Sequence, residues 1–163
     1  MHLGHFVTIT KLIDFGKAGF DVKVLLADIH AFLNRKGGEE EIKKEVENWR
    51  KTINAIGLDA EVVLGSSFQF DKEYKLDVMR LAQASTINRG LRSMQEIARD
   101  IENATISQLL YPLMQVADIK YLDADVAEGG MEQRKVHMMG KDMMQILKHP
   151  FVAVHTPLIT SLK

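Results

Sequence analysis

The sequence predicts an α/β fold built on a parallel sheet, and three observations carry that prediction. Short, mostly apolar runs, "DVKVLLAD", "AEVVLG" and "FVAVHTP", have the character of strands buried on both faces, as in parallel sheets. The segments between them carry apolar residues at helical spacing, so strands and helices alternate. Finally, 163 residues with 46% hydrophobic and 26% charged side chains suit one soluble domain with a sizeable core. No internal repeat or low-complexity linker interrupts the pattern. No apolar run is long enough to span a membrane, and no signal-peptide pattern is present. The absence of cysteine excludes disulfides and thiolate metal sites and is compatible with the cytoplasm. A net charge of -1 leaves no bulk field to attract nucleic acid, so RNA binding would need a local basic patch.

Residues from about Gly4 to Ala18 form a helix pattern with Phe6, Val7, Ile9, Leu12 and Ile13 on one side. Gly19 is placed to close it in the left-handed conformation. The strand "DVKVLLAD" follows. Next comes a helix marked by Ile42, Val46, Trp49, Ile53 and Ile56, with Gly57 behind it. After the strand "AEVVLG", a helix is expected from about Asp71 to Ala84. The stretch "INRGLRSMQEIARDIEN" has an apolar stripe of Ile87, Leu91, Met94, Ala98 and Ile101, with Arg89, Arg92 and Arg99 opposite. Those arginines suit a solvated helix face as well as a binding one. "TISQ" has capping-box spacing with Thr105 as cap, opening a helix to about Tyr121. "DADVA" is a short possible strand, a final helix is expected over about Gln133 to Leu147, and "FVAVHTP" closes the pattern.

Polar groups stand where a core helix should be apolar. In "LLYPLMQVADIKYL", Tyr111, Gln115 and Asp118 are spaced i, i+4 and i+7, within roughly a 60° arc of one face at about 100° per residue. Buried polar groups need partners. Either these bond one another and the backbone, or they line a pocket for a polar ligand. Pro112 removes a helical bond to the Gln108 carbonyl and favours a kink beside that stripe. Gly129 and Gly130 suit either a plain turn or close approach of backbone to a ligand at a strand's carboxyl end, and Glu132 and Gln133 would open the next helix facing that crevice. At the start of the chain, "MHLGH" puts His2, Gly4 and His5 at a helix N-terminus, where unpaired N–H groups and imidazole donors suit phosphoryl oxygens. A two-histidine metal site lacks a third ligand, so no metal site is expected.

Taken together, these segments carry a resemblance. "HLGH" resembles the HIGH motif of class I aminoacyl-tRNA synthetases. "LLADIHAFLN", "YPLMQVADIKYL" and "GGMEQRKVHM", in this order, are similar to the catalytic domain of tyrosyl-tRNA synthetases of the archaeal and eukaryotic type. The likeness extends over essentially all of the chain. It implies a Rossmann-like parallel sheet with flanking helices and a helical insertion at about residues 86–110 for dimer and acceptor-stem contacts. It implies ATP as a substrate, Mg2+ with the ATP, no tightly bound cofactor, tyrosine and tRNA(Tyr) as partners, a homodimer in the longer form, and a cytoplasmic location. By matching position, His2 and His5 would hold the ATP phosphates in the transition state, and Gly4 would pack near adenine. Gly129 and Glu132 would meet the ribose, and Tyr111, Gln115 and Gln133 would bind the tyrosine α-amino group. Asp118 would accept a hydrogen bond from the substrate phenol, while Arg92, Arg134 and Lys135 match acceptor-stem positions. A small-molecule adenylyltransferase leaves the four polar pocket residues unexplained, and Asp118 suits a phenol better than the indole N–H of tryptophan.

Departures from the family pattern set a further expectation. The family carries a few dozen residues before HLGH, including a first strand and a tyrosine near the substrate phenol. It also carries a K-M-S-K-S loop and an anticodon domain after the point reached by "HTPLITSLK". The chain is therefore expected to be an internal piece of a longer ligase, weak or inactive alone. Its rival is a dead fragment that acts at most as a module binding tyrosine, tRNA or a partner protein.

Overall fold

The computed structural model describes residues 3–94 and 103–159, with the Leu3 side chain left out. His2, and the Ala98, Arg99 and Ile101 positions of the two-faced segment, lie outside the described residues.

Two βαβ units frame a central group of helices. The first unit runs from helix α1 (Leu3–Lys17) into strand β1 (Lys23–Leu26), helices α2 (Asp28–Leu33) and α3 (Glu39–Ile56), and strand β2 (Glu61–Leu64). A single 3-10 turn at Gly65–Ser67 then leads to helices α4 (Lys72–Ala84), α5 (Ile87–Met94) and α6 (Ile106–Tyr121). The second unit comprises strand β3 (Val126–Gly130), a 3-10 turn at Met131–Gln133, helices α7 (Arg134–Asp142) and α8 (Met144–Leu147), and strand β4 (Val152–Thr156). β1 pairs in parallel with β2 from Lys23↔Glu61 to Leu26↔Leu64, and β3 with β4 from Val126↔Val152 to Gly130↔Thr156. The parallel α/β class is as expected, but among the described residues the strands pair two by two and not as one sheet.

Local chemistry explains the helix ends. Gly19 has φ +90° and Gly57 φ +72°, the left-handed conformation that glycine adopts without a Cβ penalty. At the start of α3, the Gly38 N–H donates to Glu41 Oε2 at 2.9 Å, and Glu39, Glu40 and Glu41 face the positive end of the helix dipole. At α6 the Thr105 N–H donates to Gln108 Oε1 at 2.9 Å, the return half of the capping box that "TISQ" announced. No atom lies within 4 Å of a Cβ built at Gly57, so the cost of a side chain there is backbone strain alone. Gly57→Ala is expected to lower stability by about 1 kcal/mol, within the range for a left-handed L-residue. Urea unfolding with an unchanged m-value checks this.

The main core joins α4, α6, α7 and α8 through Tyr74, Leu81, Val116, Val136 and Met143, and a second core packs Leu26, Ile53 and Leu58 between α3 and the first strand pair. A third gathers Ile119, Ala127 and Phe151 behind β3. Four local expectations are corrected. The six-residue α2 is too short for its apolar spacing to show a period. The expected Gln133–Leu147 helix breaks at Met143, whose φ −103° and ψ 4° leave the helix. That break turns Met143 into the main core and Met144 toward the third. "DADVA" is not the strand by itself, since β3 continues through Gly130 and places the two glycines inside the pair with β4. Of the predicted apolar stripe on α5, Met94 is buried but Ile87 is 68% exposed, so the two do not share one core face.

Candidate functional site

Asp118 comes from the buried face of α6 and is 2% exposed. Its Oδ1 accepts hydrogen bonds from Gln69 Nε2 and from the Tyr74 hydroxyl, each at 2.8 Å. Its Oδ2 has no hydrogen-bond partner, although His30 Nε2 stands 3.4 Å away. His30 Nε2 and Gln69 Oε1 are likewise buried without a hydrogen bond. Burial raises the Asp118 carboxyl to about 7, against the two donors that favour its ionised form. Burial also lowers His30 to about 4, so near neutral pH the ring is uncharged and the contact with Asp118 is not an ion pair. The Tyr111 ring meets His30 edge to face, with 4.7 Å between centroids, and burial raises its hydroxyl, as do the charges of Asp118 and Glu132. The polar stripe is thus only half satisfied internally. Oδ1 belongs to a core network, whereas Oδ2 is aimed at a position where a polar hydrogen would remove a large desolvation cost.

One turn toward the N-terminus of α6, Gln115 Nε2 donates to Gln133 Oε1 at 2.9 Å, joining α6 to the turn after β3. Gln115 Oε1 and Glu132 Oε2 are buried without hydrogen bonds. Gly129 lies under this pair, since a Cβ built there would stand 3.0 Å from Gln133 Cγ and 3.2 Å from its Cβ. The close approach at Gly129 is therefore to the Gln133 side chain, which leaves no room for a Cβ. Beside it, the Glu128 carboxyl is raised to about 7 by burial, against the Thr156 hydroxyl, and further by Glu132.

The N-terminus of α1 carries Gly4 and His5, and α1 packs along β3 and β4. The His5 ring stands edge to face against Trp49 of α3, with centroids 5.0 Å apart. His2 lies outside the described residues, so this structure describes one of the two motif histidines.

Arg92, Arg134 and Lys135 do come together. With Arg89, Met131, Met138 and Leu158 they line an open groove of about 710 Å³ between α5 and α7. Arg89 bonds Asp142 across it at 2.5 Å. Asp118 and Tyr111 are not part of its walls, so the basic groove and the buried Asp118 cluster are separate features.

The sequence reading missed His30, Gln69 and Tyr74 around Asp118, whereas it placed Arg89 on the arginine face of its helix. A signal existed for two of them: His30 interrupts the apolar run "LLADIHAFL" and Gln69 stands between two phenylalanines in "FQF". Tyr74 gave none, because a tyrosine in an amphipathic helix reads as core.

Comparison with known proteins adds an independent line. The family described as tRNA synthetases class I (W and Y) matches residues 1–163. The tyrosine–tRNA ligase of Methanospirillum hungatei is 51% identical over 164 residues, covering 99% of this chain and 52% of that protein. That of Methanocaldococcus jannaschii is 49% identical over 162 residues, with the same coverage. The crystal structure of tyrosyl-tRNA synthetase complexed with L-tyrosine from Archaeoglobus fulgidus superposes with a TM-score of 0.96 at 45% identity, covering 99% of this chain and 52% of that one. The chain spans about half the length of the curated relatives it matches.

Proposed function

The chain belongs to the class I tRNA synthetases of the tryptophan and tyrosine group, and on that premise we propose that its protein is a tyrosine–tRNA ligase. The reaction joins tyrosine to ATP, giving tyrosyl-adenylate and pyrophosphate, and then passes the tyrosyl group to the 3′ end of tRNA(Tyr). The observation that carries the reading is the buried Asp118 Oδ2, unpaired beside Tyr111 and His30 while Oδ1 is saturated. A tyrosine phenol supplies the missing donor, and phenylalanine cannot. Gln115, Gln133 and Tyr111 are the proposed ligands of the α-amino group, and the hydrogen-bonded Gln115–Gln133 pair supports that assignment.

No side chain acts as a covalent nucleophile in this scheme. The tyrosine carboxylate oxygen bonds to the α-phosphorus as the bond to pyrophosphate breaks. The protein's part is positioning and charge stabilisation. His2 and His5 are proposed to donate to the phosphates, Gly4 to lie near adenine, and Gly129 and Glu132 to hold the ribose. Mg2+ would enter with ATP as part of the substrate. The groove of Arg92, Arg134 and Lys135 is proposed to bind the acceptor stem, a reading its basic walls support. The segment at about 86–110 is proposed as the insertion that also forms a homodimer, supported by the exposed Ile87 and Ile106. No helix among the described residues is long and apolar enough to cross a membrane. A cytoplasmic location is part of the proposal.

Tyrosine-dependent exchange between ATP and pyrophosphate tests the reading. In the longer ligase form tyrosine is expected to stimulate exchange, and His5→Ala to slow it about 10²- to 10³-fold, the usual loss for one donor to developing charge. Exchange that is independent of tyrosine, or unchanged in His5→Ala, would refute these assignments.

A further inference from the structure

A second pair of imidazoles, outside the motif at α1, lies behind the candidate site. His137 Nδ1 and His155 Nε2 are 3.0 Å apart, with ring centroids 5.0 Å apart and planes tilted by 36°. Two ring nitrogens this close share one proton, one donating N–H to the lone pair of the other. A first further proton leaves a charged ring still donating to the neutral one, and only charging both rings sets N–H against N–H. The bond ties α7 to β4 directly beneath the Gln115–Gln133 contact. His155 is the partner of Gly129 in the β3–β4 register. Gln133 and His137 are four residues apart, and a Cβ built at Gly129 would meet both, Gln133 Cγ at 3.0 Å and His137 Cε1 at 3.5 Å.

We infer that His137 and His155 are positioning residues whose shared hydrogen bond holds Gln133 over Gly129, so that charging of both rings weakens amino-acid binding. The groups that face the pair fit this role. His137 is 4% exposed and meets the edge of Phe151, 6.5 Å between centroids, and its titratable neighbour is His155. His155 faces Arg134, which opposes its protonation, and Glu132, which favours it. Burial lowers both rings from the ordinary imidazole range, His137 to about 4. The bond is thus intact at neutral pH, survives the first protonation, and is lost once acid has charged both rings. The inference rests on Gln133 being a ligand of the tyrosine amino group.

Tyrosine affinity, measured by calorimetry from about pH 7.5 down to about pH 3.5 on the protein and its variants, tests it. The Kd of the unaltered protein is expected to rise as pH falls, approaching tenfold per unit below the pair's titration. His155→Leu should raise Kd several-fold at pH 7 and remove that part of the acid dependence. The double variant His137→Asn with His155→Gln, whose amides reach similar positions without titrating, should recover affinity at pH 7 and stay flat where the parent declines. Asp118 and Glu128 titrate in parent and variants alike, so the difference between the profiles isolates the pair. A double variant with the parent's profile, or His155→Leu with the parent's affinity, would overturn the inference. Should a variant fail to fold, ¹⁵N NMR of the unaltered rings still decides: one N–H and one bare nitrogen in contact are expected, and two rings titrating independently in the ordinary range overturn the couple. Absence of tyrosine binding at every pH, with the couple seen by NMR, would instead refute the tyrosine reading on which the inference rests.

Discussion

Replacing Asp118 by alanine is expected to weaken tyrosine binding about 10- to 150-fold, the equivalent of the roughly 1.5–3 kcal/mol of one hydrogen bond to a charged group. Phenylalanine, which has no phenolic hydrogen to give, should bind nearly as before, so the preference between the two amino acids should collapse with the affinity. The effect is specific because Asp118 has one oxygen committed to the core and one buried without a hydrogen bond. Asp118→Asn is the companion variant. It keeps an acceptor for Gln69 and Tyr74 but turns an amide toward the phenol position. Binding isotherms for the two amino acids on both variants check the prediction, and unchanged discrimination in Asp118→Ala would remove the basis of the pocket assignment.

The other large effect is expected at Tyr74, where the site and the core are one structure. Tyr74 is 1% exposed, packs among Leu81, Met114 and Met143, meets Phe68 and Tyr121 edge to face, and donates to Asp118. Tyr74→Ala removes an aromatic ring from the seam between α4 and α6 and leaves Asp118 Oδ1 with one donor. The expected cost is about 3–5 kcal/mol for the cavity, or a fall in Tm of roughly 6–20 °C at this chain length. Tyr74→Phe keeps the ring and should cost about 1.5–3 kcal/mol, the worth of a hydrogen bond to a charged group. It should nonetheless raise the titration of Asp118 further, because one of the donors that favour the carboxylate is gone. Thermal melts of the two variants separate packing from hydrogen bonding.

How far the sequence revealed this arrangement depended on whether the signal was local. The helix ends at Gly19, Gly57 and Thr105 were legible because capping chemistry acts over three or four residues. Tyr111, Gln115 and Asp118 were legible as one face because helical spacing alone aligns them. His30, Gln69 and Tyr74 reach Asp118 from 88, 49 and 44 residues away in sequence, contacts that no periodicity encodes. The two-by-two pairing of strands is likewise a tertiary fact, since an apolar run shows that a strand is buried without naming its neighbour. The break at Met143 was hidden because consecutive methionines serve different cores. His137 and His155 looked like isolated residues until the β3–β4 register set one behind the other.

The central claim is that the Asp118 carboxylate receives the substrate phenol, and proton release on binding tests it most directly. Free Asp118 titrates near 7, so at that pH about half of the molecules carry the proton. A donating phenol favours the ionised carboxylate, so tyrosine binding at pH 7 must expel that proton. Calorimetry of tyrosine binding in buffers of different ionisation enthalpy measures it. The predicted result is a larger proton release with tyrosine than with phenylalanine, and loss of that difference in Asp118→Asn. Equal release with tyrosine and phenylalanine, or a difference that survives in Asp118→Asn, would contradict the account.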